Sequence, residues 1–347
     1  MPIHLLISPP ATGKTQTCLN LVISAVQNNP LSAIWYLVPD QMQADAVRTR
    51  FSATGQTVPV RVATFYELNT EILERLGCSL PVAGNSMLHR FLQEIIRSLC
   101  DAGQIPHYAP IAGLPGFLNE IRARIAELQL SLVAPQHLTE LAQKQFDPGL
   151  IDLPRIYTEY QAQLLDLGWT DPEGLGKKAL EALKPEEKAL SDITLLVVDG
   201  FDNFNPAQLQ VLEVVARRAE QTWITLPGTP TMARPAHRRF SLAEHKLIKI
   251  QELDVQTCSI SPHLPPTLLQ VEDNLFATSI QPFHSGVDLQ RIEARSAVEE
   301  APSACDDFAI NLDEFDHINL YMGSVKEIVP HLKLYLIPYL LTLPERV

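Results

Sequence analysis

The sequence is short of most features that place a protein in a class at sight. Its five cysteines, Cys18, Cys78, Cys100, Cys258 and Cys305, are scattered, with no CxxC pair and no Cys/His cluster at metal spacing. That argues against structural zinc, an iron–sulfur cluster and a disulfide framework. Positive charge is scarce: 27 Lys and Arg stand against 40 Asp and Glu, a net charge of −13. A surface that coats duplex DNA by charge alone needs clustered Lys and Arg, so any nucleic-acid contact has to be local or assisted by a partner. No uninterrupted apolar stretch approaches the roughly 18 to 20 residues that span a bilayer. The opening Met1-Pro2-Ile3-His4 has no basic n-region, so a cytoplasmic protein without membrane association is expected. Repeats and low-complexity tracts are also missing.

What is present reads as folded protein. Apolar residues make up 46% and charged residues 19% of the 347, too hydrophobic for disorder and long enough for two domains. His4–Ile7 is a short apolar run followed at once by Ser8-Pro9-Pro10-Ala11-Thr12-Gly13-Lys14-Thr15. Cys18, Leu19, Leu21, Val22 and Val26 then repeat at helical spacing up to Asn28-Asn29-Pro30, which makes a strand, a loop and a helix. Ala33–Val38 reads as a second strand, followed by a helix from Gln41 to Phe51, a short strand Val58–Ala63 and a further helix after Thr64. Strands alternating with helices imply a parallel sheet with right-handed crossovers. From about Pro81 to Ala189 helical patterns dominate (Met87–Leu99, Gly116–Leu130, Leu153–Leu167, Glu173–Leu183). The α/β pattern resumes with Ile193–Asp199, a helix from Pro206 to about Arg218 and a strand Thr222–Leu226. The expected fold is an α/β P-loop domain (1–80 and 190–295) interrupted by an all-α insertion (81–189). Residues 296–347, with Glu299, Glu300, Asp306, Asp307, Asp313, Glu314 and Asp316, read as an acidic linker and a divergent tail.

Two sites in this pattern could carry chemistry. A phosphate-binding loop needs inward-turned backbone N–H groups, a lysine for the terminal phosphates and a hydroxyl on Mg²⁺ at a helix N-terminus. Ala11, Thr12, Gly13, Lys14, Thr15 and Gln16 supply these as the expected nucleotide contacts. The loop is a variant, because Ser8 stands where the first glycine belongs and two prolines follow it; a strand–GKT–helix string can also be a plain turn. The second site is Asp199, which closes the apolar strand Leu195–Val198. In P-loop proteins such a carboxylate holds Mg²⁺, so Thr15 and Asp199 are the expected metal pair; an N-cap or turn role is the plainer reading of Asp199 alone.

Taken together these segments resemble a known family. Val198-Asp199-Gly200-Phe201-Asp202-Asn203-Phe204-Asn205-Pro206-Ala207-Gln208 resembles the second ATPase motif of UvrD/Rep-type superfamily 1 helicases, and more closely the variant in the AddB subunit of the AddAB helicase–nuclease. Leu37-Val38-Pro39-Asp40-Gln41, Ala63-Thr64-Phe65-Tyr66-Glu67-Leu68, Ile156–Gln161 and Gly168-Trp169-Thr170-Asp171 follow in the family's order, over roughly residues 3 to 295. The resemblance implies a RecA-like fold, ATP and Mg²⁺ as cofactors, and DNA contact at Thr64, Phe65 and Tyr66. It also implies an AddA-type motor subunit as heterodimer partner in processing double-strand breaks for recombinational repair. Phe65 and Tyr66 could equally pack beneath the next helix.

The departures from the family limit the expected activity. Gly200 stands where active helicases carry the glutamate that deprotonates the attacking water, and glycine cannot do that. Pro227-Gly228-Thr229-Pro230-Thr231 does not reproduce the family's γ-phosphate-sensing motif. The pattern is lost from about Ser296, as in a truncated or frame-altered product, and the sequence has no second RecA-like domain or nuclease domain. Nucleotide binding is therefore expected more firmly than hydrolysis. Two other readings stay open: a stand-alone P-loop ATPase or kinase whose helical insertion is a lid and whose phosphate clamp is Arg234, Arg238 and Arg239, and an interaction protein that has lost nucleotide binding.

Overall fold

A computed structural model describes residues 3–9, 12–53, 59–145, 148–228, 241–248 and 253–256, with residues 270 and 274. The Arg234–Arg239 cluster, Ala11 and the acidic tail from 296 lie outside the described residues.

The element order is β1 (Ile3–Ser8), α1 (Lys14–Asn28), β2 (Ala33–Leu37), α2 (Gln41–Ala53), β3 (Val60–Ala63), α3 (Phe65–Arg75), α4 (Asn85–Asp101), α5 (Pro115–Leu130), α6 (Pro135–Gln145), α7 (Pro148–Asp166), α8 (Leu175–Leu183), β4 (Ile193–Val198), α9 (Pro206–Arg218), β5 (Gln221–Pro227), α10 (Ser241–Ile248) and β6 (Leu253–Gln256). Six strands form one sheet in the order β3-β2-β4-β5-β1-β6. The pairs β2–β3, β2–β4, β4–β5 and β1–β6 are all parallel. This is the expected α/β fold with a parallel sheet. The sequence reading missed β6, α10 and α6.

Side-chain alternation along the strands explains why helices cover both faces. Tyr36, Val38, Leu195 and Val197 point to one face and pack with Cys18, Leu19 and Val22 of α1 and Ala44, Val47 and Phe51 of α2. Trp35, Leu37, Leu196 and Val198 point to the other, against Leu68 and Ile72 of α3, Val211 and Val215 of α9 and Leu247 of α10. Strands buried on both faces read as continuous apolar runs, which is why β2 and β4 stand out in the sequence.

The helical segment has a core of its own, built from Leu88, Leu92, Ile96, Ile121, Ile125, Ile156, Tyr157 and Tyr160 on α4, α5 and α7. Its incoming and outgoing strands form a neck: Thr170 donates its N–H to Pro81 O at 3.0 Å and accepts from Ala83 N at 2.8 Å. After the neck, α8 turns back into the sheet's core, where Ala179, Leu180 and Leu183 are buried with the residues of α3 and α9. Among the described residues no helix is long and apolar enough to cross a membrane.

By their contacts the described residues fall into two units. Ser8, Pro9, Thr12, Gly13, Lys14, Pro227 and Gly228 belong to the smaller one, and the sheet strands up to Ile7 and Leu226, with the helices from Thr15, to the larger.

Candidate functional site

The loop after β1 is tied to itself. Ser8 and Thr12 are both buried; Ser8 Oγ donates to Thr12 Oγ1 at 2.6 Å, and Thr12 Oγ1 donates to Pro9 O at 2.8 Å. Lys14 Nζ donates to the carbonyls of Ser8 and Pro9, each at 2.7 Å. Gly228, just past β5, donates its N–H to Ser8 O at 3.1 Å. Pro9 has no N–H to offer a phosphate, yet its carbonyl is one of the two that gather the lysine ammonium. Gly13 has φ +85°, in the left-handed region where glycine is at ease and where consecutive N–H groups can turn toward one side.

Thr15 lies in the first turn of α1, partly buried, and belongs to the larger unit. Gln16 is exposed and its Nε2 donates to Asn20 Oδ1 at 3.0 Å, along the helix surface.

Asp199 follows β4 directly and is 4% exposed. Its two carboxylate oxygens accept from the two flanking strands: Tyr36 Oη of β2 donates to Oδ2 at 2.8 Å, and Thr225 Oγ1 of β5 donates to Oδ1 at 2.5 Å. The registers account for this, since Tyr36 pairs with Val197, and Ile224 with Val198. Burial, and then the charge of Asp199, push the Tyr36 phenol far above its ordinary value, so it stays protonated and donates. A carboxylate oxygen has more than one lone pair, so both oxygens retain acceptor capacity for a hydrated cation. No group of three or more His, Cys, Asp or Glu that could hold a metal occurs among the described residues. A single carboxylate with open lone pairs suits Mg²⁺ held chiefly by phosphates and water.

Gly200 has φ +83°, and its N–H donates to Thr225 Oγ1 at 3.4 Å. A Cβ on Gly200 would meet Gln43 Oε1, the end of an exposed flexible side chain, so the left-handed backbone is what disfavours a side chain here, while the carboxamide would have to move aside. Asp202 is exposed in the loop that leads to α9. That helix starts with a capping box between Asn205 and Gln208, with Pro206 in the first turn.

The Thr64-Phe65-Tyr66 segment is divided by its fold. Thr64 is the N-cap of α3: its hydroxyl accepts from Glu67 N at 3.4 Å and donates to Glu67 Oε2 at 3.1 Å, while its own N–H donates to Oε2 at 2.7 Å. Burial pushes the Glu67 carboxyl up, but bonds from Thr64 and Gln41 and the Arg48 charge outweigh it and hold it below the usual value. Phe65 is 5% exposed and packs edge-on against Phe201 and Phe204. Tyr66 is 47% exposed and is the aromatic of this segment that solvent reaches.

Tyr36, Thr225 and Gln43 are the site residues that sequence reasoning missed. Tyr36 and Thr225 are polar groups near the carboxyl ends of the strands flanking Asp199, a signal that becomes visible only once strand order is known.

The comparisons agree with the motifs. A family model described as "ADDB, N-terminal" matches residues 5–264. The B subunit of the ATP-dependent helicase/deoxyribonuclease of Moorella thermoacetica is 26% identical over 339 residues, covering 86% of this chain and 29% of that protein. The corresponding B subunits of Carboxydothermus hydrogenoformans and Bacillus mycoides are each 24% identical, covering 85% and 68% of this chain and 27% and 21% of theirs. The chain spans less than a third of the length of these relatives.

Proposed function

Because the chain belongs to the ADDB N-terminal family, we propose that it is the nucleotide-binding, helicase-like portion of the AddB-type subunit of a helicase/nuclease acting on DNA ends in recombinational repair. In this reading an AddA-type motor subunit is the partner, and DNA is engaged as single strand or duplex end. The backbone N–H groups around Gly13, with Lys14 and Thr15, hold the phosphates of ATP, and Thr15 and Asp199 hold Mg²⁺ through water. Magnesium, when bound, neutralises charge on the phosphates. The protein's part is to position: Lys14 moves from the carbonyls of Ser8 and Pro9 to phosphate oxygens, while Tyr36 and Thr225 fix the direction of the Asp199 carboxylate.

The observation that supports this best is the strand order. With β5 between β4 and β1 in a parallel sheet, the carboxyl ends of the strand before the loop and of the strand before Asp199 lie along one edge, where ligands bind in open α/β sheets. Hydrolysis is slow or absent, because no base stands at residue 200. DNA is met at the exposed ring of Tyr66, which offers a stacking face, while Phe65 anchors the start of α3 against Phe201 and Phe204.

The test is a thermal melt with and without MgATP, followed by a single-stranded DNA titration. A ligand at 100 times its Kd adds about 2.7 kcal/mol, a shift of a few degrees. It is expected for the wild type, abolished in Lys14→Ala and reduced in Asp199→Asn. DNA affinity should fall in Tyr66→Ala. A melt indifferent to nucleotide would remove the reading, and brisk DNA-independent turnover would favour a stand-alone enzyme.

A further inference from the structure

Gly200 leaves a gap at the carboxyl end of β4, and another residue fills it. A Cβ built on Gly200 would strike Gln43 Oε1 and stand 3.4 Å from Gln43 Cδ and 3.5 Å from Pro39 Cδ. Gln43 lies in the first turn of α2, and its N–H donates to Asp40 Oδ1 at 2.9 Å. Asp40 thus fixes the turn from which the carboxamide reaches over Gly200. In this arrangement the space next to Asp199 holds either a side chain on residue 200 or the carboxamide of Gln43.

We propose that Gln43 makes this site distinguish a nucleoside triphosphate from a diphosphate, its carboxamide over Gly200 contacting the terminal phosphate. The inference rests on the nucleotide-binding reading above. In P-loop proteins the metal-holding aspartate serves the β- and γ-phosphates, so a polar group over the residue that follows Asp199 faces the phosphate end of a nucleotide. A carboxamide presents two N–H donors and one acceptor oxygen and does not ionise. It can donate to a phosphate oxygen or orient a water, but it takes no proton from that water. Contact with the terminal phosphate and lack of turnover then have one origin. The left-handed backbone of Gly200 disfavours a glutamate there, and the carboxamide occupies the space that its side chain would take.

The experiment is calorimetric titration of the 347-residue chain with ATP and with ADP in magnesium buffer, for the wild type, Gln43→Ala and Gln43→Glu. Gln43 is exposed, so neither change removes core packing, and equal melting temperatures without nucleotide check this. The wild type should bind ATP more tightly than ADP. Gln43→Ala should weaken ATP by about tenfold, the scale of one hydrogen bond to a charged group, and leave ADP within about twofold. Gln43→Glu, which sets a carboxylate against the phosphate, should weaken ATP further and again spare ADP. Equal losses for both nucleotides, or no loss for either, overturn the role of Gln43 and leave nucleotide binding standing. A wild type that binds neither nucleotide overturns both.

Discussion

Asp171, at the neck of the helical segment, and Asp199, at the end of β4, are almost equally buried, 1% and 4% exposed. Each accepts a hydrogen bond from a buried tyrosine, Tyr160 at 2.7 Å and Tyr36 at 2.8 Å. Their remaining partners differ. Asp171 also accepts from Gln129 Nε2 at 3.1 Å and from the N–H of Gly174 at 2.9 Å. It thereby joins α5, α7 and the start of α8 next to the paired strands of the neck. Asp199 accepts one further bond, from a threonine hydroxyl that can rotate, and beside it stands a glycine in the left-handed region. A carboxylate whose acceptor sites are mostly filled by fixed donors holds structure together. One oriented by two hydroxyls from its neighbouring strands keeps capacity for a ligand.

The largest expected difference between the two sites is in stability. Asp171→Ala strands a phenol and a carboxamide in the interior and leaves the Gly174 N–H only its longer bond, to the backbone carbonyl of residue 171 at 3.2 Å, and should cost about 3 kcal/mol. Asp199→Ala strands two hydroxyls, and should cost about 1 to 2 kcal/mol. Paired urea melts measure both, and equal losses would break the distinction. The glycines beside the two carboxylates give the next effect. A Cβ on Gly174 would meet Asp171 Oδ1 at 2.6 Å and Thr170 Oγ1 at 3.0 Å, and that carboxylate is pinned. At Gly200 the obstacle is the end of a flexible side chain, and the positive φ adds roughly 1 to 2 kcal/mol. Gly174→Ala should therefore cost more than Gly200→Ala, on the order of 2 to 3 against 1 to 2 kcal/mol. Adding Gln43→Ala should relieve only the collision part at Gly200.

The same contrast explains what could be read from the sequence. Lys14 and Asp199 are legible from local signals, because Gly13-Lys14-Thr15 stands between a short apolar run and a helical repeat, and Asp199 closes an apolar run. Tyr36, Thr225 and Gln43 are not, because their roles depend on which strands pair and on where the first turn of α2 lies. Within Thr64-Phe65-Tyr66, adjacent helical residues point about 100° apart, so one ring enters the core and the other meets solvent, and sequence alone does not say which. Among elements, α6 has few apolar positions and β6 is a four-residue strand, Leu253–Gln256, too short for a periodic signal. The helical pattern of α8 is plain, but its allegiance to the sheet's core comes from Ala179, Leu180 and Leu183 meeting α3 and α9, a tertiary fact.

The smallest effect sharpens the comparison through pH. Burial is the largest influence on the Asp171 carboxyl and raises it above the ordinary 3.8, with Glu173 adding to the rise, against bonds from Tyr160, Gly174 and Gln129 that favour the anion. A carboxyl raised in the folded state contributes stability that is fully present below the unfolded value and is lost as pH climbs through the folded one. Asp171→Asn does not titrate, and whatever it costs by placing an amide among donors is independent of pH. The stability of the wild type relative to Asp171→Asn should therefore be greatest at or below about pH 3.8, decline over the window above it and then level off. Urea melts of the pair across that range measure the trend. A gap that widened in favour of the wild type as pH rose would mean that the three donors hold Asp171 as an anion against its burial.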